Sequence, residues 1–340
     1  MNKWILIVLS VFSTHLVLAQ ENGFRILSSV SYTRNYNIND LPDNKGIITG
    51  SFEGYFYVEK PAELFVTYNN QRMEIQKPLG MFIVVPEAER LFNYGEEPGF
   101  YTDYNLELHV LKTNGNWIKN VGVIGHAPYA VAASAGGDFY AFAHVDIDSI
   151  HSLPYLKKVD KNGNIQWEIR MEDCIPQAVN LSPGGELMAV TYLKEESMSF
   201  ITDFYDDKGA KLFSLNHTLS VGGIEFISEK QFIVTEENGW KLYSINNGAK
   251  PIFSGVLPGK TFSRYPITIS ADKDYFIVVS LGSGNVYHLS AISLKDGKLI
   301  SEIEINESPF WEPYRMAVFE GKDKILLRTG KQLVKLQLNR

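Results

Sequence analysis

From about residue 78 onward, short apolar runs alternate with small polar turns, and helix content is expected to be close to nil. Runs such as Phe139–Val145, Leu187–Leu193, Phe232–Thr235 and Tyr275–Leu281 are apolar and often β-branched or aromatic, which is strand chemistry. Two series of turns punctuate them in register. The first reads Lys112-Thr113-Asn114-Gly115, Lys161-Asn162-Gly163, Asp207-Lys208-Gly209, Asn246-Asn247-Gly248 and Lys295-Asp296-Gly297, with glycines stepping by 48, 46, 39 and 49. The second opens at Ser134, Ser182, Ser228 and Ser270, stepping by 48, 46 and 42. Glycine supplies the positive φ of a tight hairpin, and the neighbouring Asn or Asp tolerates the same region. A strand-and-turn period in the forties predicts a β-propeller, each blade running strand a, Ser turn, strand b, longer loop, strand c, Asx-Gly turn, strand d.

On this period blades fall near 78–125, 126–173, 174–217, 218–257, 258–305 and 306–340. The last offers three strands only, Arg315–Phe319, Lys324–Arg328 and Gln332–Leu338. Phe24–Tyr32 alternates well and is the expected fourth strand, closing the ring and leaving no open edge. Residues 33–77 are the least regular. Gly46–Gly50, Gly54–Val58, Leu64–Tyr68 and Arg72–Gln76 read as four short strands, either a degenerate first blade or an extra hairpin layer. The all-β fold is thus a propeller of six to seven four-stranded blades; about 320 residues at about 45 per blade favours seven. Residues 20–77 carry the closing strand and irregular first blade, and 78–340 the repeat blades.

The N-terminus changes the setting. Lys3, the apolar run Trp4–Leu18 and the ending Val17-Leu18-Ala19 have the layout of a secretory signal over residues 1–19. Fifteen residues interrupted by Ser10, Ser13, Thr14 and His15 are short for a membrane span, which needs about 20. An exported protein is expected, periplasmic, cell-surface or secreted, with no integral membrane segment after cleavage. Cys174 is the only cysteine, so no internal disulfide is possible, and a small packed apolar residue is its expected role. A net charge of −7 argues against nucleic acid as a partner.

In a propeller the segment before each innermost strand lies at one mouth of the central channel. Those segments are Gly125-His126-Ala127-Pro128-Tyr129, Glu172-Asp173-Cys174, Ser263-Arg264-Tyr265-Pro266 and Phe310-Trp311-Glu312-Pro313-Tyr314-Arg315. Aromatic and arginine side chains on loops are enriched at recognition sites. His126, Tyr129, Asp173, Arg264, Tyr265, Trp311, Glu312, Tyr314 and Arg315 are therefore the candidate contact residues. Against a small ligand, Trp311 and Tyr314 would stack while Arg264, Arg315 and Glu312 orient polar groups. The same aromatics would also serve simply to plug the funnel. Asp160-Lys161-Asn162-Gly163-Asn164 places oxygen side chains at alternate positions, as a calcium loop does, but the twelfth position is Met171 rather than Glu. His109, His126, His144, His151, His217 and His288 are scattered without ligand spacing. No catalytic residue, metal site or cofactor is predicted.

Leu156-Lys157-Lys158-Val159-Asp160-Lys161-Asn162-Gly163-Asn164-Ile165-Gln166-Trp167 resembles the repeat of quinoprotein-dehydrogenase-like propellers, where a strand ending in Asp meets a Gly turn and then a tryptophan. Leu181-Ser182-Pro183-Gly184-Gly185-Glu186-Leu187-Met188-Ala189-Val190 is similar to the Ser-Pro-Asp-Gly turn of WD40-like and TolB-like propellers. The resemblance spans residues 78–340 and implies the fold. Such propellers include quinone enzymes and also scaffolds without chemistry. Trp167 alone fills the tryptophan position, with Phe213, Phe253 or Ile300 near it elsewhere, and there is no adjacent-cysteine pair.

Together these features describe an exported, non-catalytic propeller that binds a protein partner, or a small polar or glycan ligand, through its channel-mouth loops. The alternative is an exported quinone-dependent oxidoreductase or metal-assisted hydrolase or lactonase, using Glu172, Asp173, Glu312 and His126 in the funnel. Intact-mass measurement of the protein recovered from a secreting host should give a chain beginning at Gln20; a chain still carrying Met1–Ala19 would refute the signal.

Overall fold

The Asx-Gly turns are built by their own side chains. Asp160 Oδ1 accepts from the amides of Asn162 at 2.7 Å and Asn164 at 2.9 Å, while its Oδ2 accepts from Asn164 Nδ2 at 2.8 Å. Asp206 repeats this with Lys208 and Ala210 at 2.9 and 2.8 Å. The following glycines take the left-handed conformation, with φ of 84° at Gly163, 80° at Gly209 and 69° at Gly297. Both Asp160 oxygens are thus turned onto the hairpin that they close, which is what the calcium-like spacing encodes.

A computed structural model describes residues 23–31, 64–68, 71–75, 81–85, 90–95, 105–112, 117–146, 153–217, 221–261, 266–283, 286–306, 317–319, 321–328 and 332–340. Among them there is no α-helix, and a single turn of 3₁₀-helix at Ile245–Asn247. β1 (Gly23–Ser31) is followed by a two-stranded hairpin, β2 (Leu64–Tyr68) and β3 (Gln71–Ile75). Then comes one seven-stranded sheet: β4 (Met81–Val85), β5 (Arg90–Gly95), β6 (Asn105–Lys112), β7 (Trp117–Ala133), β8 (Phe139–Asp146), β9 (Leu153–Asp160) and β10 (Ile165–Arg170). Its middle strand serves two blades: β7 pairs with β6 up to His126, and with β8 from His126 to Ala133.

Three four-stranded antiparallel meanders follow. They are β11 (Cys174–Leu181) to β12 (Met188–Lys194), β13 (Ser199–Tyr205) and β14 (Lys211–His217); β15 (Val221–Phe226) to β16 (Gln231–Glu236), β17 (Gly239–Ser244) and β18 (Pro251–Val256); and β19 (Ile267–Ile269) to β20 (Tyr275–Leu281), β21 (Val286–Ser293) and β22 (Leu299–Asn306). The last sheet holds β23 (Ala317–Phe319), β24 (Lys324–Arg328) and β25 (Gln332–Asn339), completed by β1. β1 runs antiparallel to β25 from Gly23↔Asn339 to Ser31↔Gln332, with a bulge at Leu27, and the Phe24 amide reaches Ser301 Oγ at 3.0 Å. The expected donation of Phe24–Tyr32 to the last blade is thus found. The described strands make six blades plus the β2–β3 hairpin, within the six-to-seven range. Gly46–Gly50 and Gly54–Val58 lie outside the described residues.

The innermost strands touch in chain order, β4 to β7, β7 to β11, β11 to β15, β15 to β19 and β19 to β23. Successive four-stranded sheets joined through their first strands are a propeller. The core lies between blades. Val190 packs toward the β7–β10 blade while Ala189 joins Phe204 and Phe232 on the other side; Phe276 and Ile277 divide in the same way. Alternate side chains point to opposite faces, and both faces are covered, so the middle strands read as continuous apolar runs. Phe204 stacks between Phe213, with centroids 4.6 Å apart, and Phe232, at 4.4 Å. Such pairs add about 0.5–1.5 kcal/mol each beyond the area they bury.

Blade docking converges on glycines at the turn end. The Trp167 ring lies on Gly209, where an added Cβ would stand 2.9 Å from Cδ2, and its Nε1 donates to the Asp207 carbonyl at 3.1 Å. Phe139 lies on Gly185 in the same way, and Phe253 on Gly297. Polar locks reinforce this end: Ala135 N to Pro183 O at 3.0 Å, Ser182 Oγ and Gly184 N to Glu229, and Lys158 Nζ to Gly185 O at 2.5 Å. Arg340 spans Asp272 at 2.9 Å, Asp274 at 3.2 Å and Asp323 at 2.9 Å. Burial opposes the charge of Asp272, yet hydrogen bonds from Ser270, Arg340 and the Asp274 amide hold its carboxyl well below the usual range.

Gly209→Ala should cost about 2–4 kcal/mol by denaturant unfolding, combining left-handed strain with displacement of the indole. In a Trp167→Ala background the same change should cost only about 1–2 kcal/mol. Strict additivity of the two would show that the indole does not dock on the turn.

Candidate functional site

At the end opposite these locks, the ladders of three innermost strands break. Between β7 and β8 the register shifts on both sides of Pro128, leaving Ala127 and Tyr129 out of the pairing. Between β11 and β12 it shifts after Pro176, leaving Gln177, and between β15 and β16 it leaves Gly222. Pro128 and Pro176 each stand six residues before a turn serine, and proline has no amide to give the ladder. Bulges of this kind re-aim a strand and accumulate beside functional sites. Nearer the turn end the innermost strands are joined side by side: Asn180 Nδ2 donates to Ile224 O at 2.9 Å, and Thr268 Oγ1 to Ala317 O at 2.5 Å.

His126 and Tyr129 both lie in the broken stretch of β7; His126 stands where the strand leaves one blade for the next, its backbone facing Asn105 on one side and Val145 on the other. Asp173 immediately precedes β11, is exposed, and accepts from the Glu195 amide at 3.2 Å. Its φ of 51° is left-handed, as is that of Met198 (also 51°) in the neighbouring loop of the same blade. Non-glycine residues adopt this region at some cost, Asp more readily than Met. Because β7 and β11 are adjacent, three of the nine candidates fall at neighbouring strand heads. Arg264, Tyr265, Trp311, Glu312, Tyr314 and Arg315 lie outside the described residues. The segment leading to Arg264 is described and firmly seated. Leu257 N bonds Asn238 O at 3.0 Å, Thr261 N bonds Glu237 O at 2.9 Å, Thr261 Oγ1 bonds Glu236 O at 3.0 Å, and Lys260 exchanges two 2.8 Å bonds with Leu281.

Sequence reasoning missed a polar chain near this end. Thr191 Oγ1 lies 2.9 Å from Thr202 Oγ1, which lies 2.9 Å from His217 Nε2. On the other side of the ring, Nδ1 is 3.5 Å from Glu236 Oε1, and Lys241 Nζ holds the same carboxylate at 2.7 and 2.9 Å. These residues are far apart in sequence and meet only through strand register. Gln177, half-buried and bonded to Ile175 O at 3.4 Å, is a further group at the strand heads that no spacing marked.

Asp203 receives Tyr192 OH at 3.1 Å, Tyr205 OH at 3.4 Å and Lys211 Nζ at 2.8 Å; burial, then the Asp203 charge, push both phenols well up. Burial, with Asp203 adding to it, raises the Cys174 thiol to about 11, so it stays protonated at neutral pH and packs as a small apolar group. Among the described residues no three His, Cys, Asp or Glu side chains are preassembled around a metal position.

Burial depresses His217 below its ordinary range, and the pull of Glu236 does not offset it. The folded state therefore binds fewer protons than the unfolded chain, so stability is full above the unfolded value of about 6.5 and falls as pH drops below it. His217→Gln should flatten the unfolding free energy between pH 7 and pH 5; an unchanged slope would assign that dependence to other groups.

No protein-family model matches the chain, and no curated protein matches it. Among solved structures, the C-terminal WD40 domain of Sif2 aligns with a TM-score of 0.47 at 10% identity, covering 79% of this chain and 85% of that chain.

Proposed function

We propose that this chain is an exported, non-catalytic propeller that holds a protein partner at the mouth formed by the heads of its innermost strands. The observation that carries the reading is the unlikeness of its two ends. At the turn end, glycines, aromatics, Glu229, Lys158 and Arg340 are all committed to joining one blade to the next. At the mouth end, the bulges at Tyr129, Gln177 and Gly222 interrupt the ladders of the innermost strands, and Asp173 and Met198 stand exposed beside them. The aromatic and arginine residues at 264–265 and 311–315 precede β19 and β23 in the chain, and their chemistry suits a recognition surface. Export rests on the signal-like residues 1–19. Fold alone assigns no activity, so the proposal rests on this surface.

The test places a photo-reactive amino acid at Tyr129 or at Lys208 of the tagged protein in its native envelope. Tyr129 should give a discrete cross-linked partner and Lys208, at the turn end, should give none. In the same assay Trp311→Ala with Arg315→Ala should reduce the adduct at least tenfold. Cross-linking that is absent at Tyr129, or equal from Lys208, would overturn the proposal.

A further inference from the structure

We infer that His288, Glu302 and Glu304 form a binding site for a single divalent transition-metal ion of the zinc class. The inference does not depend on the proposed function. The three side chains come from adjacent strands, β21 and β22, in direct register: His288 lies opposite Glu304, and Ser290 opposite Glu302. Tyr287, Leu289 and Ala291 pack toward the last blade, so by alternation His288 and Ser290 face the other way, with Ile292 toward the β15–β18 blade.

Several observations point to a missing ligand. His288 is only 7% exposed, yet its buried Nδ1 has no hydrogen-bond partner. Ser280, its ladder partner on β20, is fully buried and its Oγ also has none. Orphaned buried polar atoms are rare and usually mark an unfilled role. A Cβ at Gly282 would collide with His288 Nε2, so that edge of the ring is covered by the loop backbone while Nδ1 faces the carboxylates. Glu302 is oriented for this: Ser290 Oγ donates to its Oε2 at 3.1 Å, and its Oε1 lies 3.5 Å from Nδ1. Glu304 Oε1 lies 3.8 Å from the same nitrogen. Both spans are too long for an N–H···O hydrogen bond, which runs about 2.7–3.2 Å.

They do suit atoms that share an ion. Ligands about 2.0–2.2 Å from a tetrahedral zinc stand about 3.3–3.6 Å apart. Glu302 is already within that span. The set is not preassembled, because Glu304 is slightly beyond it; at 60% side-chain exposure a rotamer change brings it in. One imidazole with two carboxylates is an N/O set that zinc-like ions favour, leaving one position for water or an outside group.

The contrast with His217 sharpens the case. There too Nδ1 lies 3.5 Å from a glutamate, but Glu236 already has the Lys241 ammonium as its cation. Among the described residues, Glu302 and Glu304 have no lysine or arginine within 4.0 Å. Two neighbouring carboxylates facing one buried imidazole lack the positive charge that the first site possesses.

The chelator-treated full mature protein should take up one zinc ion per chain by calorimetry, and cobalt should give a visible spectrum without thiolate charge transfer. Glu302→Gln with Glu304→Gln should weaken zinc binding at least tenfold, as should His288→Gln. His288 is buried, so the exposed glutamates provide the decisive variant, with circular dichroism to confirm the fold. No uptake by the wild type, or uptake undiminished in the double glutamine variant, would overturn the site.

Discussion

The structure depends on the fit between one blade and the next. Each sheet has two apolar faces and no interior of its own, so it is stable only when a neighbour covers each face. Where the blades meet at the turn end, a ring from one blade rests on a backbone carbon of the next: Trp167 on Gly209, Phe139 on Gly185, Phe253 on Gly297. Those positions demand glycine twice over, once for the positive φ of the hairpin and once because a methyl group would occupy the ring's place. Local turn geometry and long-range docking are therefore satisfied by the same residue, a consistency across levels expected of a foldable sequence. The β1 strand extends the principle to the last blade, where a segment from the start of the chain supplies the missing fourth strand.

Commitment of the turn end to docking leaves the other end for function. Proline at 128 and 176 cannot donate to the ladder, and the resulting bulges turn the strand heads away from regular pairing. The cost is small, because the adjoining strands still hold their own hydrogen bonds, and cross-links such as Asn180 to Ile224 join the innermost strands below the bulges. A rigid frame with irregular rims is the usual arrangement for recognition by loops.

Burial also creates the charge problems that give the molecule its chemistry. A carboxylate inside the blade stack must find a cation or donors, since an unpaired buried charge costs several kcal/mol. Asp203 meets this with Lys211 and two tyrosines, and Glu236 with Lys241. His217 meets it by remaining neutral, which makes acid a destabilising condition. Glu302 and Glu304, which are exposed, face the buried His288 imidazole, and among the described residues no lysine or arginine lies within 4.0 Å of either carboxylate.

How much of this was legible in the linear chain follows from range. Turn chemistry acts over two to four residues, so Asp160-Lys161-Asn162-Gly163 and its repeats, and from them the blade period, could be read directly, as could the alternation of Phe24–Tyr32. The propeller order placed His126, Tyr129 and Asp173 at one end because topology alone decides which end of a strand comes first. Asp160 was ambiguous, since a carboxylate among Asn side chains serves a calcium ion or a hairpin equally well until the hydrogen bonds are seen. Gln177 and the Thr191–Thr202–His217 chain carried no local mark, and neither did the meeting of His288 with Glu302 and Glu304. These pairings are set by strand register and by which face each residue takes, and register is settled only when the blades pack. The sequence by itself determined the repeat, its turns and its apolar faces. The tertiary structure decided which polar groups, eleven to sixteen residues apart or in different blades, are buried against one another, because desolvation acts on what is near in space rather than along the chain.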